Sequence, residues 1–289
     1  ADFVPLLVGL SRAGLPFVLL STDLPDKALE VERNERALAL LRPWLCICSG
    51  GACPAAEVEA APLSLAVGAL PGLAADAAPR AAPGLAPEHV LCVMFTGGTH
   101  RTKAVQVTHA MVQHEYTAYP RLCGAQASGE HAVVLAHTSA YWGASALGQL
   151  SIALALGGTV VLTEAAETGD LQRCINEEGV TVLGVVPDHL DLLAPELPER
   201  ELPSVRCVFT WGEALPLPVA ERWRGHPRAV LRELLISTEY WLSLWRDPLG
   251  GAAFRVVGGA EALVLTEAGL DAEGEELGEL CVAGPMVMA

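Results

Sequence analysis

Apolar and polar positions along this chain alternate between two patterns. Short, nearly continuous apolar runs recur at LPFVLL (15–20), WLCIC (44–48), VLCVMF (90–95), HAVVLAH (131–137), GTVVLTE (158–164), VTVLGVVP (180–187), VRCVFTW (205–211) and AVLRELL (229–235). Runs of that length predict strands buried on both faces. Helix-forming stretches separate them. DKALEVERNERALALLR (26–42) is stopped by Pro43, THAMVQHEYTAYPRL (108–122) opens on Thr108 as an N-cap, and TSAYWGASALGQLSIALALGG (138–158) is a small-residue helix that must pack closely. GDLQRCINEEG (169–179) and DHLDLLA (188–194) continue the alternation, which predicts α/β layering with mostly parallel sheets flanked by helices.

The two ends read differently. Arg12, Gly14 and Pro16 split the greasy start into a short helix, a turn and a strand, and the first strand–helix–strand run predicts a parallel pair joined by a crossover. Residues 50–87, rich in Ala, Pro and Gly, predict a connector, partly loop, that delivers the strand at 90–95. FRVV (254–257), ALVLTE (262–267) and GEELGELCVAGP (274–285) predict short strands of a small antiparallel β-subdomain. The expected division is an α/β core over 1–250 and the start of a β-subdomain over 251–289.

Composition narrows the function classes. The 289 residues, 52% hydrophobic and 18% charged, are those of a globular chain with a substantial core. A formal net charge of −16 (18 Lys+Arg against 34 Asp+Glu) argues against a nucleic-acid partner, which needs clustered cations to replace counterions. No apolar run is long enough to cross a bilayer, and the start lacks a basic n-region. Cys92, Cys207 and Cys281 sit inside apolar runs as small hydrophobes; reduced thiols, and with them a cytoplasmic setting, are the expectation. Cys46, Cys48 and Cys53 cluster without a second ligand pair, which argues against structural zinc.

One window carries chemistry. In VLCVMFTGGTHRTKAVQVTH (90–109) a strand runs into Thr96, Gly97, Gly98 and Thr99, followed by Lys103. Backbone N–H groups free of side-chain obstruction, two hydroxyls and one cation suit a polyphosphate. The Walker A pattern is excluded, because Lys103 lies between Thr102 and Ala104. An ordinary turn with a surface lysine is the competing reading. Downstream, 211–216 (WGEALP) ends a strand with a Gly and a turn, and 236–239 (ISTE) ends another; open α/β sheets bind ligands at such carboxyl edges. His109 and His114, five apart, share no metal-binding face and read as helix-surface residues. Trp142, Trp241 and Trp245 read as packing residues, and Ser145 lacks the elbow of a hydrolase nucleophile.

TGGTHRTKA (96–104), WGEALP, ISTE and GELCVAGP (278–285), in that order and approximate spacing, resemble the motifs of the adenylate-forming (AMP-binding) superfamily of acyl-CoA synthetases, luciferases and peptide-synthetase adenylation domains. GLSRAGLPFVLLSTDLP (9–25) is similar to the LKAGGAYVPLDPSYP segment of adenylation domains. The resemblance implies an ATP-dependent ligase that activates a carboxylic acid as an acyl-adenylate and passes it to the thiol of CoA or of a carrier protein's phosphopantetheine. It implies that Thr96, Gly97, Gly98, Thr99 and Lys103 hold phosphates, that Gly212, Glu213 and Ala214 line the adenine, that Thr238 touches the α-phosphate, and that Glu239 holds Mg²⁺. Lys103, Thr238 and Glu239 are the implied catalytic set.

Several departures accompany it. The loop is one residue short, Thr102 and Ala104 replace Pro and Gly, and Leu235 replaces a Tyr. Gly143 stands where amino-acid-activating domains carry an Asp, which points to a plain carboxylate or a decayed pocket. The TGD segment and the lysine-bearing lid domain of the family do not follow GELCVAGP, so the chain is expected to be part of a multidomain synthetase and inactive alone. The alternative is a catalytically silent adenylation-like module acting as a scaffold or docking domain.

Overall fold

A computed structural model of the chain describes residues 3–22, 26–48, 63–66, 83–96, 103–123, 131–163, 167–194, 196, 198–270 and 276–288. The elements in order are α1 (Phe3–Ala13), β1 (Phe17–Val18), α2 (Lys27–Leu41), β2 (Leu45–Cys48), β3 (Leu63–Ala66), β4 (Val90–Phe95), β5 (Ala104–Thr108), α3 (His109–Cys123) and β6 (Val133–Ala136). A π-helical turn (Ala144–Gln149) then runs into α4 (Leu150–Leu156), followed by β7 (Thr159–Leu162), α5 (Thr168–Glu177), β8 (Val182–Val185), α6 (Pro187–Leu193), α7 (Pro198–Glu201), β9 (Cys207–Thr210) and α8 (Leu217–Trp223). The chain finishes with β10 (Val230–Leu235), β11 (Leu244–Arg246), β12 (Arg255–Val256), β13 (Glu261–Leu270) and β14 (Glu276–Ala283).

The main sheet has the order β12-β11-β10-β9-β8-β6-β7, with β10, β9, β8, β6 and β7 parallel and β11 and β12 antiparallel at one edge. Its strands β6 and β8 carry no polar side chain because both faces of the sheet are covered there. Leu183, Val185 and Val208 face α5, α6 and α8 with Ile175, Leu190 and Trp223. Val182, Cys207 and Phe209 face α3 and α4 with Tyr119, Cys123 and Ile152. Strand order reverses between β6 and β8, a topological switch point whose carboxyl edge is the expected ligand crevice of an open α/β sheet.

A second sheet, β1-β4-β5, carries the window singled out in the sequence. β4 and β5 are antiparallel neighbours in a hairpin, with Phe95 opposite Ala104. Thr108 Oγ1 accepts from the Met111 N–H at 3.3 Å, the N-cap that starts α3. α2 begins where Asp26 accepts from the Ala28 and Leu29 N–H groups and ends with Arg42 in a left-handed conformation before Pro43.

Four sequence expectations change. β1 and β2 do not pair with each other: β1 pairs in parallel with β4, and β2 with β3. A helical crossover fixes handedness but leaves open which later strand takes the neighbouring place. β3 itself lies inside the segment read as a connector. The FRVV run is not part of the β-subdomain, because β12 pairs with β11 at the edge of the main sheet; β13 and β14 form a separate antiparallel pair. His114 is not a surface residue but is buried, while His109 is half-buried with its Nε2 shielded from solvent.

Candidate active site

Three loops meet the carboxyl ends of their strands. The first is closed at its base: the Thr96 N–H donates to the Lys103 carbonyl at 3.0 Å, and the Lys103 N–H donates to Thr96 Oγ1 at 3.2 Å. Lys103 thereby leaves the hairpin in a fixed direction, and its ammonium donates to Glu239 Oε1 at 3.3 Å across 136 residues of chain. Gly97, Gly98 and Thr99 lie outside the described residues.

Glu239 is the second centre. The Ser237 hydroxyl donates to Glu239 Oε2 at 2.5 Å, and Ser237 Oγ accepts from the Glu239 N–H at 3.2 Å. The Ser237 hydrogen bond first, and the Lys103 cation after it, hold the Glu239 carboxyl below its ordinary range, so it is ionised at neutral pH. Half of this carboxylate is thus occupied by the protein and half faces the lysine. Thr238, half-buried, lies between the two bonding residues.

The third loop follows β9. Gly212 has φ +93, a left-handed conformation that leads the chain out of the sheet, and a Cβ there would sit 3.5 Å from Val186. Gly212, Glu213 and Ala214 are exposed at the same edge as residues 237–239, since β9 and β10 are parallel neighbours. Buried Glu233 ties the two together, accepting from the Leu215 N–H at 3.3 Å and from Arg246 Nε at 2.7 Å. Trp211, just before Gly212, lies across Gly184 of β8, where any Cβ would overlap its ring.

The structure therefore brings Thr96, Lys103, Thr238 and Glu239 to one place and puts the 212–214 loop on the adjoining edge. It adds residues the sequence did not single out. Glu233 and Arg246 look like strand-face charges in sequence and become an ion pair between neighbouring strands. His137 and Gln149 fill the switch point: Gln149 Nε2 donates to the Gly184 carbonyl at 2.7 Å, and His137 Nε2 is buried without a partner among the described residues. The π-helical turn around Gln149 is a feature commonly found at functional sites, and no sequence pattern announces it. Ser145 donates to the Thr138 carbonyl at 2.8 Å, a structural use of its hydroxyl. Trp241 is packed in the core beside Leu91, Met94 and Met111, whereas Trp142 is 37% exposed.

Comparison with known proteins decides the family. The model of the family described as AMP-binding enzyme matches residues 1–289. The chain belongs to the AMP-binding enzyme family. Relatives of this family member include apicidin F synthase of Gibberella fujikuroi, 33% identical over 151 residues, or 51% of this chain. Malformin synthetase of Aspergillus neoniger is 27% identical over 228 residues, 78% of this chain. The chain spans only 3% and 4% of the lengths of those two synthetases. Among solved structures, ATP-bound MatB of Rhodopseudomonas palustris superposes with a TM-score of 0.78 at 19% identity, over 99% of this chain and 58% of that one. The o-succinylbenzoate CoA synthetase of Bacillus subtilis, in complex with its acyl-adenylate intermediate, gives 0.74 at 22% identity, over 99% and 73%. These neighbours share the AMP-binding fold: α/β, with mixed sheets flanked by helices and a small antiparallel pair. Among the described residues no helix is long and apolar enough to cross a membrane.

Proposed function

We propose that this AMP-binding chain is the core of an ATP-dependent ligase that activates a carboxylic acid as its acyl-adenylate, within a multidomain synthetase whose β-subdomain begins at β13. The observation that carries the proposal is the 3.3 Å approach of Lys103 to Glu239 from two different sheets. A phosphate-binding cation and an ionised carboxylate at one point form a site for a nucleotide triphosphate with its metal.

Glu239 fits Mg²⁺. It is an ionised oxygen donor with one face toward the lysine, and no group of three or more potential metal ligands occurs among the described residues. Mg²⁺ characteristically takes one or two carboxylates and completes its shell with phosphates and water. When bound, the ion would neutralise phosphate charge as it develops.

The residues then divide the work. Thr96, Gly97, Gly98, Thr99 and Lys103 hold the β- and γ-phosphates, residues 212–214 flank the adenine, and Thr238 meets the α-phosphate. A carboxylate oxygen of the acid forms a bond to the α-phosphorus, the bond from that phosphorus to the bridging oxygen breaks, and its electron pair leaves on pyrophosphate. Lys103 supports that departure by meeting the charge of the leaving group. The acyl group passes afterwards to a thiol, of CoA or of a carrier protein's phosphopantetheine. A plain carboxylate is favoured over an α-amino acid, because Gly143, beside Met94 and the Trp241 ring, supplies no carboxylate to pair with an amino group.

The test is nucleotide binding. Mg·ATP at millimolar concentration should raise the melting temperature of the full-length protein, and Lys103→Ala or Glu239→Ala should each abolish that shift. Carboxylate-dependent ATP–pyrophosphate exchange separates the ligase from a silent scaffold; absence of both shift and exchange would overturn the proposal.

A further inference from the structure

Residues 237–239 leave β10 and turn away from the sheet, and Leu242, three residues beyond Glu239, is 0% exposed. Both polar groups of its backbone are taken by neighbouring side chains on α3. Glu115 Oε1 accepts from the Leu242 N–H at 2.8 Å, and His114 Nε2 lies 2.8 Å from the Leu242 carbonyl. A carbonyl only accepts, so Nε2 carries the proton, which fixes the tautomer. Both side chains are buried, Glu115 at 1% and His114 at 5% exposed. Burying a carboxylate and an imidazole costs desolvation that apolar packing would avoid, and these two groups are offset by holding one residue of a distant segment.

Their place in the chain gives that hold a consequence. α3 follows β5 directly, and β5 starts at the residue after Lys103. The helix is thus rigidly linked to the lysine at one end and bonded, in its second turn, to the segment that carries Glu239. On the other side of that segment the Trp241 N–H donates to the Met286 carbonyl at 3.0 Å, and the Met288 N–H to the Glu239 carbonyl at 2.9 Å.

We infer that His114 and Glu115 are positioning residues for the nucleotide site: by clamping Leu242 they set the Glu239 carboxylate opposite Lys103. The inference rests on the function proposed above for Lys103 and Glu239, and it adds the link between the two sheets that supply them.

The experiment compares variants of the full-length protein in Mg·ATP binding and in structure. Glu115→Leu and His114→Leu remove the bonds and should weaken Mg·ATP binding by about ten-fold, the size of one lost buried hydrogen bond. Glu115→Gln and His114→Gln each keep a group able to reach Leu242 and should stay within about three-fold of the parent. Ile175→Ala, in the core on the opposite face of the sheet, controls for lost stability and should leave binding unchanged. If the Leu variants fail to fold, His114→Asn, too short to reach the carbonyl, takes their place and should bind more weakly than His114→Gln. Crystal structures of Glu115→Leu, or of His114→Asn, give a readout independent of nucleotide: the 3.3 Å Lys103–Glu239 contact should open. A retained contact, or binding no weaker than in Ile175→Ala, would overturn the inference. A parent protein that binds no Mg·ATP would overturn the functional proposal instead, while the contact would still decide whether the clamp exists.

Discussion

Glu115 and His137 are ionisable groups taken out of water, and their burial makes opposite predictions. Burial pushes Glu115 up to about 7, against the lowering effect of its hydrogen bonds from Leu242 and Tyr119. The folded state therefore holds a proton that the unfolded chain has released above its ordinary value of 4.5. Stability from this group is fully present below pH 4.5 and is lost as pH rises through 7. Glu115→Gln should remove that loss, so the gap in melting temperature between the variant and its parent should shift in the variant's favour from pH 5 to pH 8. Burial, with His189 beside it, lowers His137 to about 4. Its contribution is present above 6.5 and is lost as pH falls through 4, because the unfolded imidazole takes up a proton that the folded one refuses. His137→Gln should therefore be the more acid-resistant protein, relative to its parent, in melts between pH 7 and pH 4. Neither role was legible in the sequence. His114, Glu115 and His137 sit in stretches where a surface position reads the same as a buried one, and only the arrival of residues 242 and 189 distinguishes them.

Elements were legible where local chemistry writes them and less so where partners decide. α2 carries its own start and stop: Asp26 accepts from the Ala28 N–H at 3.0 Å and from the Leu29 N–H at 3.1 Å, and Pro43 follows the left-handed Arg42. Asp26→Ala should cost about 1 kcal/mol, read as a lower denaturation midpoint with unchanged slope in urea. Thr108 likewise announces α3. Two-residue strands such as β1 and β12 have no such signature, and their sheet membership comes from register with Cys92 and Val93, or with Leu244 and Trp245. The unread helix α8 follows Pro216 and packs Val219 and Trp223 into the core, a short amphipathic piece whose period is too brief to separate from a loop.

For the whole molecule, the main sheet is the mechanical reference to which the loops of the site are fixed. Leu183 is 0% exposed at its centre, so Leu183→Ala should destabilise by about 2–5 kcal/mol, measured by chemical denaturation, through lost transfer energy and the cavity left behind. The same variant should leave Mg·ATP affinity nearly unchanged under conditions where it remains folded, because the strand ends keep their positions. The sequence by itself determined the layered α/β class, the alternation of buried strands and helices, and which short motifs carry cations, glycines and acids. It could do so because burial on both faces and helix capping are local constraints, written in neighbouring residues. Tertiary structure alone decided that β1 joins β4, that β12 closes the edge of the main sheet, and that α3 grips Leu242. It also decided that Lys103 meets Glu239. Those outcomes depend on which distant surfaces exclude water together, and no short stretch of chain contains both sides of such a contact.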